Sequence, residues 1–487
     1  MQRNRGQRLL SSFRVVGLLM MLSACTTPDQ TPRAQPIPNS IRHINGRSAD
    51  TVEQSAEVRG EASGRSGRRP ITRLERRAIR NLLDRASRVR ALPFQAPIQV
   101  EVHDATAITE HLTSELEEED LSKTRNLYAA LGLLDPDSDI RSILERVLGE
   151  QVVGYYDPDQ DHLVIRNDVM AALSRGGPLL DRDRRINNSD LGIAGANRVL
   201  LHEIVHALQG QHLNLAESHR VERDSDAEHA YRGLVEGDAS LAMWADAITE
   251  AGGAIDMLPQ SAALLDAMLS RETAFSNLGA ELEEAPAILR ITLVAAYTYG
   301  LRFCLELHRQ GGWRAIDEAH RNLPSSFEQV LHPEKYLAGE LPDEVILGEF
   351  PELTEAGFVT LDEDTLGELE LAIYFGQGST GDLALEAAKG WSGDRLRAYY
   401  RPDGALAVIW YTTWDNESAA KRAERWARDV AKLDGSTASL ERVVARFGRA
   451  LLITRGVPVP YQHSTRRRFN QFARMLPEQA PFRPTPP

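Results

Sequence analysis

The sequence predicts an α+β protein in which a mainly helical domain with a small sheet precedes a small α+β C-terminal domain. Apolar residues recur at helical spacing in residues 71–91, 194–209 and 226–250, whereas residues 97–102 and the region after residue 390 alternate as strands do. The chain has 487 residues, of which 42% are hydrophobic and 26% are charged. This balance is typical of globular proteins, and the length exceeds one ordinary core, so we expect two folded domains.

The first 24 residues have the pattern of a secretory signal. Four arginines precede the apolar run Val15–Leu22, which is too short to span a bilayer. The run leads into Ser23-Ala24-Cys25, and this string resembles the lipobox of bacterial lipoproteins. The resemblance implies cleavage before Cys25 and acylation of that residue. Because Thr26 rather than aspartate follows, it also implies sorting to the outer membrane.

The charge of the chain restricts its partners. The full chain has a net charge of −14, and removal of a signal with four arginines and no acid would leave −18. Nucleic acids bind basic surfaces, so we expect no nucleic-acid partner. Membrane attachment is expected through the acyl anchor at Cys25 instead. Cys304 then lacks a disulfide partner, and its apolar neighbours predict a buried thiol.

Composition divides the remaining chain into segments. Residues 25–69 are rich in Pro, Gly, Ser and charge without any aromatic residue, which predicts a disordered tether. Residues 70–350 are the expected helical domain, and residues 366–465 are the expected α+β accessory domain. We expect residues 466–487 to form a tail.

The elements of the first domain follow from their apolar spacing. Leu74, Ile79 and Leu82 lie on one side of a helix over residues 71–91. Residues 97–102 alternate as a strand. Residues 152–165 read as a hairpin, because two apolar runs flank a turn rich in aspartate. A small sheet therefore precedes the next long helix.

The segment His202-Glu203-Ile204-Val205-His206 carries the most chemistry. It lies in a predicted helix from about Ala194 to Gln209, which Gly210 would end. Residues four apart on a helix are separated by about 400°, so both imidazoles point to one side and can bind one ion. Glu203 lies beside them, where a carboxylate can act as a general base. The segment therefore predicts a zinc site with Glu203 as the catalytic base.

Two residues compete to be the third ligand. Glu236 lies on the helix predicted over residues 226–250, and His212 follows His202 by ten residues. A glutamate on a later helix resembles the gluzincin branch of the zincin metallopeptidases, whereas a histidine at this distance resembles the metzincin branch. Metzincins have a helix-breaking glycine seven residues after the first histidine, but Gln209 occupies that position here. We therefore favour Glu236. The predicted zinc ligands are His202, His206 and Glu236.

The gluzincin resemblance implies a zincin-like fold for residues 70–350 and a zinc-dependent endopeptidase activity. In that family a sheet edge beside the metal helix aligns an extended peptide by main-chain bonding. The chain departs from the pattern at Ser240, where thermolysin-like proteins have an aspartate that orients the first histidine. Asp238 and Asp226 are candidates for this contact, and spacing alone leaves the choice open.

Sites of this type usually add a donor for the charge that develops on the substrate oxygen. Candidates lie in residues 297–300 and 325–336, where His332 precedes Pro333 in loop-like sequence. We expect His332 to be a second catalytic residue. The alternatives are helix packing for the tyrosines of the first segment and a surface turn at His332.

The C-terminal part alternates helix and strand signals. Residues 395–400 and 406–411 flank a Pro-Asp-Gly turn, which predicts a hairpin, and a capped helix and a second hairpin follow. Four of the six tryptophans lie here, and core packing is their expected use. We find no catalytic constellation, so this part is expected to position substrate or bind a partner.

Together the motifs predict a membrane-anchored zinc endopeptidase of the cell envelope that acts on protein or peptide substrates. One alternative is a zinc-binding but non-catalytic assembly or binding lipoprotein. The other is a structural lipoprotein whose histidines only pack. Glu203 favours the first, because a zinc binder has no need of a general base.

Overall fold

The computed structural model describes residues 58–59, 67–114, 116–175, 193–259, 280–377, 384–433 and 442–476. Within these ranges the protein is α+β, with two five-stranded sheets and a majority of helix. The predicted signal sequence, the predicted acylation site Cys25 and most of the predicted tether lie outside the described residues.

The first sheet supports the helix that carries the two histidines. Its path is β1-β3-β5-β4, with β2 paired to β3. Strands β1 and β5 run parallel to β3, whereas β2 is antiparallel to β3 and β4 is antiparallel to β5 at the edge. The strands are β1 (Val58–Arg59), β2 (Arg68–Arg69), β3 (Ile98–His103), β4 (Gly154–Asp157) and β5 (His162–Arg166).

The predicted tether of residues 25–69 is wrong at its C-terminal end. Strands β1 and β2 fall within it and pair with β3. The composition of this segment favours disorder. A strand of only two residues can nevertheless join a sheet when a neighbouring strand supplies hydrogen-bond partners.

Thirteen α-helices and one 3-10 helix (Ile255–Met257) are described between Arg73 and Leu337. The α-helices are α1 (Arg73–Arg90), α2 (Ala105–Ser114), α3 (Glu118–Leu131), α4 (Ile140–Gln151), α5 (Asn167–Arg175), α6 (Ile193–His212), α7 (Leu215–His219), α8 (Ser225–Glu250), α9 (Ala280–Glu283), α10 (Ala287–Gly311), α11 (Trp313–Arg321), α12 (Phe327–Leu331) and α13 (Pro333–Leu337). Local chemistry starts the long ones: Thr72 and Glu75 form a capping box on α1, and the Asp224 carboxylate accepts from Ala227 N at the start of α8.

Helix α6 continues to His212 rather than ending at Gly210 as predicted. Gly210 serves a close contact instead, since a Cβ there would overlap Oη of Tyr156 on β4. A glycine inside a helix reduces its stability, but here it allows the sheet edge to approach the helix.

Helices α8 and α10 approach each other through glycines. A Cβ on Gly237 would overlap the backbone of Gly300, and one on Gly300 would overlap the carbonyl of Gly233. The backbones are therefore in contact, which fixes the position of α8 beside α10.

Helix α10 is the one described helix that is long and apolar enough to cross a membrane, but 67% of its apolar window is buried within the protein, as a core helix requires.

The second sheet has the order β6-β7-β8-β10-β9 and is antiparallel throughout. Both hairpins predicted for the C-terminal part are present, as β7–β8 and β9–β10. The elements are α14 (Pro351–Glu355), β6 (Val359–Asp364), α15 (Gly367–Gly376), α16 (Leu385–Ala388), β7 (Trp391–Tyr400), β8 (Leu406–Trp414), α17 (Glu417–Ala431), β9 (Val443–Phe447), β10 (Ala450–Arg455) and α18 (Val459–Met475).

The two predicted domains share one hydrophobic core. The main cluster of buried residues runs from the first sheet through α6, α8 and α10 to α15 and to the tryptophans of the second sheet. Trp391, Trp410 and Trp414 are fully buried, which confirms core packing for these three.

The predicted tail of residues 466–487 is wrong at its start, because α18 extends to Met475 and buries Phe469 in a second, smaller cluster.

Candidate metal centre

Three predicted ligands meet between α6 and α8. The Nε2 atoms of His202 and His206 are 2.9 Å apart, and Oε2 of Glu236 lies 3.1 Å from the first and 3.4 Å from the second. A tetrahedral zinc ion with bonds of roughly 2.0–2.1 Å separates its ligand atoms by about 3.3 Å. The three atoms therefore have the spacing of three corners of a zinc coordination tetrahedron.

Burial and mutual charge set the pKa values of this triad. All three side chains are at most 3% exposed. Burial lowers the pKa of His202 to about 4. Burial acts in the same direction on His206, but the Glu236 carboxylate outweighs it and raises the pKa to about 9. The pKa of Glu236 falls to about 2 despite burial, because His206 and His202 stabilise its anion. The carboxylate is thus ionised as a ligand requires.

Glu203 is placed against the edge of the first sheet. It is 1% exposed, and the backbone N–H of Tyr156 on β4 donates to its carboxylate. Its Oε2 has no hydrogen-bond partner among the described residues. Burial, reinforced by the charge of Glu236, raises the pKa of Glu203 to about 8. A carboxyl group with this pKa can accept and return a proton near neutral pH.

A buried relay supports His206 from behind. The Nδ1–H of His206 donates to Oε1 of Gln209 at 2.7 Å, and Nε2 of Gln209 donates to Oδ2 of Asp238 at 2.9 Å. Arg90, from α1, donates through Nε to Oδ1 of Asp238 at 2.6 Å, and Nε2 of His320 donates to Oδ2 at 3.1 Å. Second contacts of this kind fix the ring orientation of a metal-ligating histidine.

Asp238 is the ionised centre of this relay. Burial alone would raise its pKa, but the charge of Arg90 and the contact with His320 hold the pKa well below its usual range. Both Arg90 and Asp238 are inaccessible to solvent. Of the two candidates that the sequence left open, Asp238 is therefore the one that reaches a metal histidine, and it does so through Gln209. Ser240 is buried and no contact of it with His202 is described.

Aromatic and imidazole groups line the other side of the triad. The ring of Tyr297 lies 6.1 Å from that of His202, and its hydroxyl donates to Glu236. Oη of Tyr231 and Nε2 of His219 are buried without a hydrogen-bond partner among the described residues. Burial and the charge of Glu236 raise the pKa of Tyr231. Burial and the charge of His206 lower the pKa of His219, and the charge of Glu236 raises it. These two unused polar groups therefore lie near the triad.

The rival and accessory candidates lie elsewhere. His212 interacts through Nδ1 with Gln95 and donates from Nε2 to the Pro93 carbonyl, so it is not part of the triad. The prediction of His332 as a catalytic residue is not supported by its position, because its Nε2 lies 3.0 Å from the Glu368 carboxylate on α15 and not at the triad. The proline after His332 correctly indicated a break between α12 and α13. It gave no information about which way the His332 side chain points.

Cys304 is buried as predicted, and burial raises the pKa of its thiol well above the usual value. Five polar residues that the fold brings to the site were not predicted from the sequence. They are Arg90, Gln209, His219, Tyr231 and His320. Gln209 alone had a local signal, since it is polar and shares a helix face with His202 and His206.

The donor set fits zinc. Two imidazole nitrogens and one carboxylate oxygen would leave a fourth position open, and Glu203 Oε2 is a buried polar atom without a protein partner among the described residues. Residues 356–459, which contain the second sheet, match a family described as a domain of unknown function, DUF8575. No curated protein and no solved structure matches the chain. The family match lies outside the triad.

Proposed function

We propose that the chain is a lipid-anchored, zinc-dependent endopeptidase of the cell envelope with a gluzincin-type site in a zincin-like domain. The observation that carries the proposal is the convergence of His202, His206 and Glu236 at ligand spacing, with the unpaired oxygen of Glu203 on the adjoining residue. A site that only stores zinc needs the ligands but not the base.

The chain's own residues provide the remaining functions of a peptidase. A zinc ion held by the triad would polarise the scissile carbonyl and activate water. Glu203 would take a proton from the attacking water and return it to the leaving amine, and its pKa of about 8 suits both transfers. Tyr231 and His219 have free donor capacity near the triad, where charge would develop on the substrate oxygen.

Strand β4 supports the peptide specificity of the proposal. It is the edge strand of the first sheet, and the N–H of Tyr156 points out of the sheet to Glu203. A substrate that adds to this edge in an extended conformation would lie directly beside the base. Main-chain pairing would select peptides over small esters or sugars, and it places few demands on side-chain sequence.

A second function is favoured by the burial of the site. His202, Glu203, His206 and Glu236 are all between 0 and 3% exposed, and closed sites are typical of structural zinc. In this alternative the chain is a zinc-binding, non-catalytic envelope lipoprotein. The endopeptidase requires the residues that cover the site to move when substrate binds.

One experiment separates the two functions. Zinc content and cleavage of an unfolded protein are measured for the wild type and Glu203→Gln. Zinc in both proteins with cleavage by the wild type alone supports the peptidase. Zinc without cleavage in either supports the binding lipoprotein, and absence of zinc contradicts both. Glu236→Ala should lose the metal while the matched variant His212→Ala keeps it.

The membrane anchor is tested separately. Cells grown with a labelled fatty acid should incorporate label into the wild type and not into Cys25→Ser. Equal labelling of the two proteins, or none in the wild type, contradicts acylation at Cys25 without affecting the zinc proposal.

A further inference from the structure

Helix α1 presents a row of exposed arginines. Seven arginines and two acidic residues occur in its 18 residues, although the whole chain has a net charge of −14. Residues spaced by three or four lie on one helix face. We define the α1 arginine row as the four exposed members of this face. They are Arg73, Arg77, Arg80 and Arg88.

The row differs from three neighbouring arginines in having no acidic partner among the described residues. Arg69 pairs with Glu75, Arg85 with Asp246, and Arg90 with Asp238. None of the four row members forms an ion pair with another described residue. Asp84 falls within the same face but no ion pair joins it to Arg80 or Arg88. Four positive charges are therefore available to an external anion.

The opposite face of α1 fixes the direction of the row. Ile79, Leu82, Leu83 and Ala86 are buried in the main core, where α1 packs against α6 and α8. The row consequently points away from the metal helix, into solvent. Leu74, which the apolar spacing placed with Ile79 and Leu82, is instead 60% exposed next to Arg73 and adds an apolar group to this surface.

The position of α1 in the chain identifies the partner. It is the first described helix after the predicted acylated residue Cys25, and 48 residues separate Cys25 from Arg73. Strand β1, which pairs with β3, begins at Val58, 33 residues after Cys25, and a chain of that length spans at most roughly 110–120 Å when fully extended. The helix therefore lies within reach of the membrane surface to which the anchor would hold the protein, while the acidic remainder of the chain is repelled by it.

We propose that the α1 arginine row binds the anionic phospholipid headgroups of that membrane and turns the α1 face of the protein toward it. The inference rests on the proposed anchoring for its biological setting, but the contact itself needs neither the acyl chain nor zinc. Basic residues at an anionic membrane surface each strengthen binding by about fivefold, and the effect is screened by salt.

The test uses the mature chain with Cys25→Ser, so that no acyl chain contributes. Co-sedimentation is measured with vesicles of phosphatidylcholine alone and with vesicles containing phosphatidylglycerol. We expect binding only to the anionic vesicles, weakened by added salt. The fourfold variant Arg73→Gln, Arg77→Gln, Arg80→Gln, Arg88→Gln should lower the affinity at least about 50-fold.

A matched fourfold variant distinguishes the row from charge in general. It changes exposed arginines of α11 and α18 and removes the same total charge. The substitutions are Arg314→Gln, Arg466→Gln, Arg467→Gln and Arg474→Gln. This control should bind like the parent. Equal loss in both variants, equal binding to neutral vesicles, or a preference for duplex DNA over anionic vesicles would overturn the proposal. Unchanged zinc content and circular dichroism show that the variants are folded.

Discussion

Helix α8 takes part in two buried polar networks. One contains an arginine that balances the charge of its carboxylate, and the other contains carboxyl groups without a cation. In the middle of the helix, Asp238 pairs with Arg90 and contacts His320 and Gln209. At its start, Asp226 lies with two further buried carboxyl groups from the C-terminal part. We call these three residues the interface acid cluster. They are Asp226, Asp364 and Asp394.

The partners of the interface acid cluster are neutral. Asp226 accepts from Phe327 N, Asp364 from Ser225 N, and Asp394 from the indole N–H groups of Trp391 and Trp410. Burial raises the pKa of Asp364 to about 8 and that of Asp394 to about 6, and it raises the pKa of Asp226 well above its usual value. Without a cation, burial decides the protonation state.

One helix thus contributes both to the candidate metal site and to a structural contact with the C-terminal part. The Asp238 network contains a cation, so its carboxylate stays ionised and orients His206 through Gln209. In the interface acid cluster the pKa values of the carboxyl groups are raised, and hydrogen bonds from neutral donors join α8 to the C-terminal part. Substituting aspartate by asparagine should therefore have opposite consequences in the two networks.

The largest effect is expected for Asp238→Asn. The substitution leaves the inaccessible guanidinium of Arg90 with Asp317 as its remaining acidic partner. Removing one member of a buried ion pair costs about 3–5 kcal/mol, and we expect the lower end because Asp317 remains. Urea denaturation of the zinc-free protein measures the change in the free energy of unfolding.

The double variant Arg90→Met, Asp238→Asn is the control for this prediction. Replacing the cation as well should recover part of the lost stability, since no unpaired buried charge remains. A loss below about 1 kcal/mol in the single variant would show that Asp238 is not the charge that compensates Arg90.

A smaller effect, on metal affinity, is expected for Gln209→Ala. It removes the acceptor of the His206 Nδ1–H without creating a buried charge. Loss of such a contact typically weakens zinc binding by roughly 10–100-fold. Competition with a chromophoric chelator measures the affinity. The matched variant is Gln211→Ala on the same helix, whose side chain contacts the backbone of Gln95 and Ala96 at the surface. Equal affinities of the two variants would contradict a positioning role for Gln209.

The difference between the networks also explains what the sequence could predict. His202, Glu203 and His206 are close in the chain, and the apolar stripe around Glu236 predicted the helix that brings it to them. Arg90 and Asp238 are 148 residues apart. No periodicity connects such positions, because the pairing depends on how α1 packs on α8.

Other errors have equally local causes. The glycine at position 210 predicts a helix end, whereas Gly210 makes room for Tyr156 inside α6. Strands β1 and β2 have two residues each, which is too short to show an alternating pattern in the sequence. Pairing with β3 stabilises both of them. His332 lies in a break between helices, as its proline indicated, but its partner Glu368 comes from a part of the chain predicted to be a separate domain.

The smallest effect is expected for Asp364→Asn, and it should have the opposite sign to Asp238→Asn. The pKa of Asp364 is about 8 in the folded protein, above its ordinary value near 4 in the unfolded chain. The group therefore contributes stability that is complete below about pH 4 and is lost as the pH rises through about 8. Asparagine imitates the protonated acid and does not titrate. The variant should match the wild type at about pH 4 or below and be more stable by about 1–2 kcal/mol at pH 5, where the carboxyl group is ionised in the unfolded chain but protonated in the folded protein. Thermal or urea unfolding at the two pH values measures this, and parallel pH profiles would show that Asp364 is ionised in the fold. In that case the contrast between the two networks would not depend on the presence of a cation.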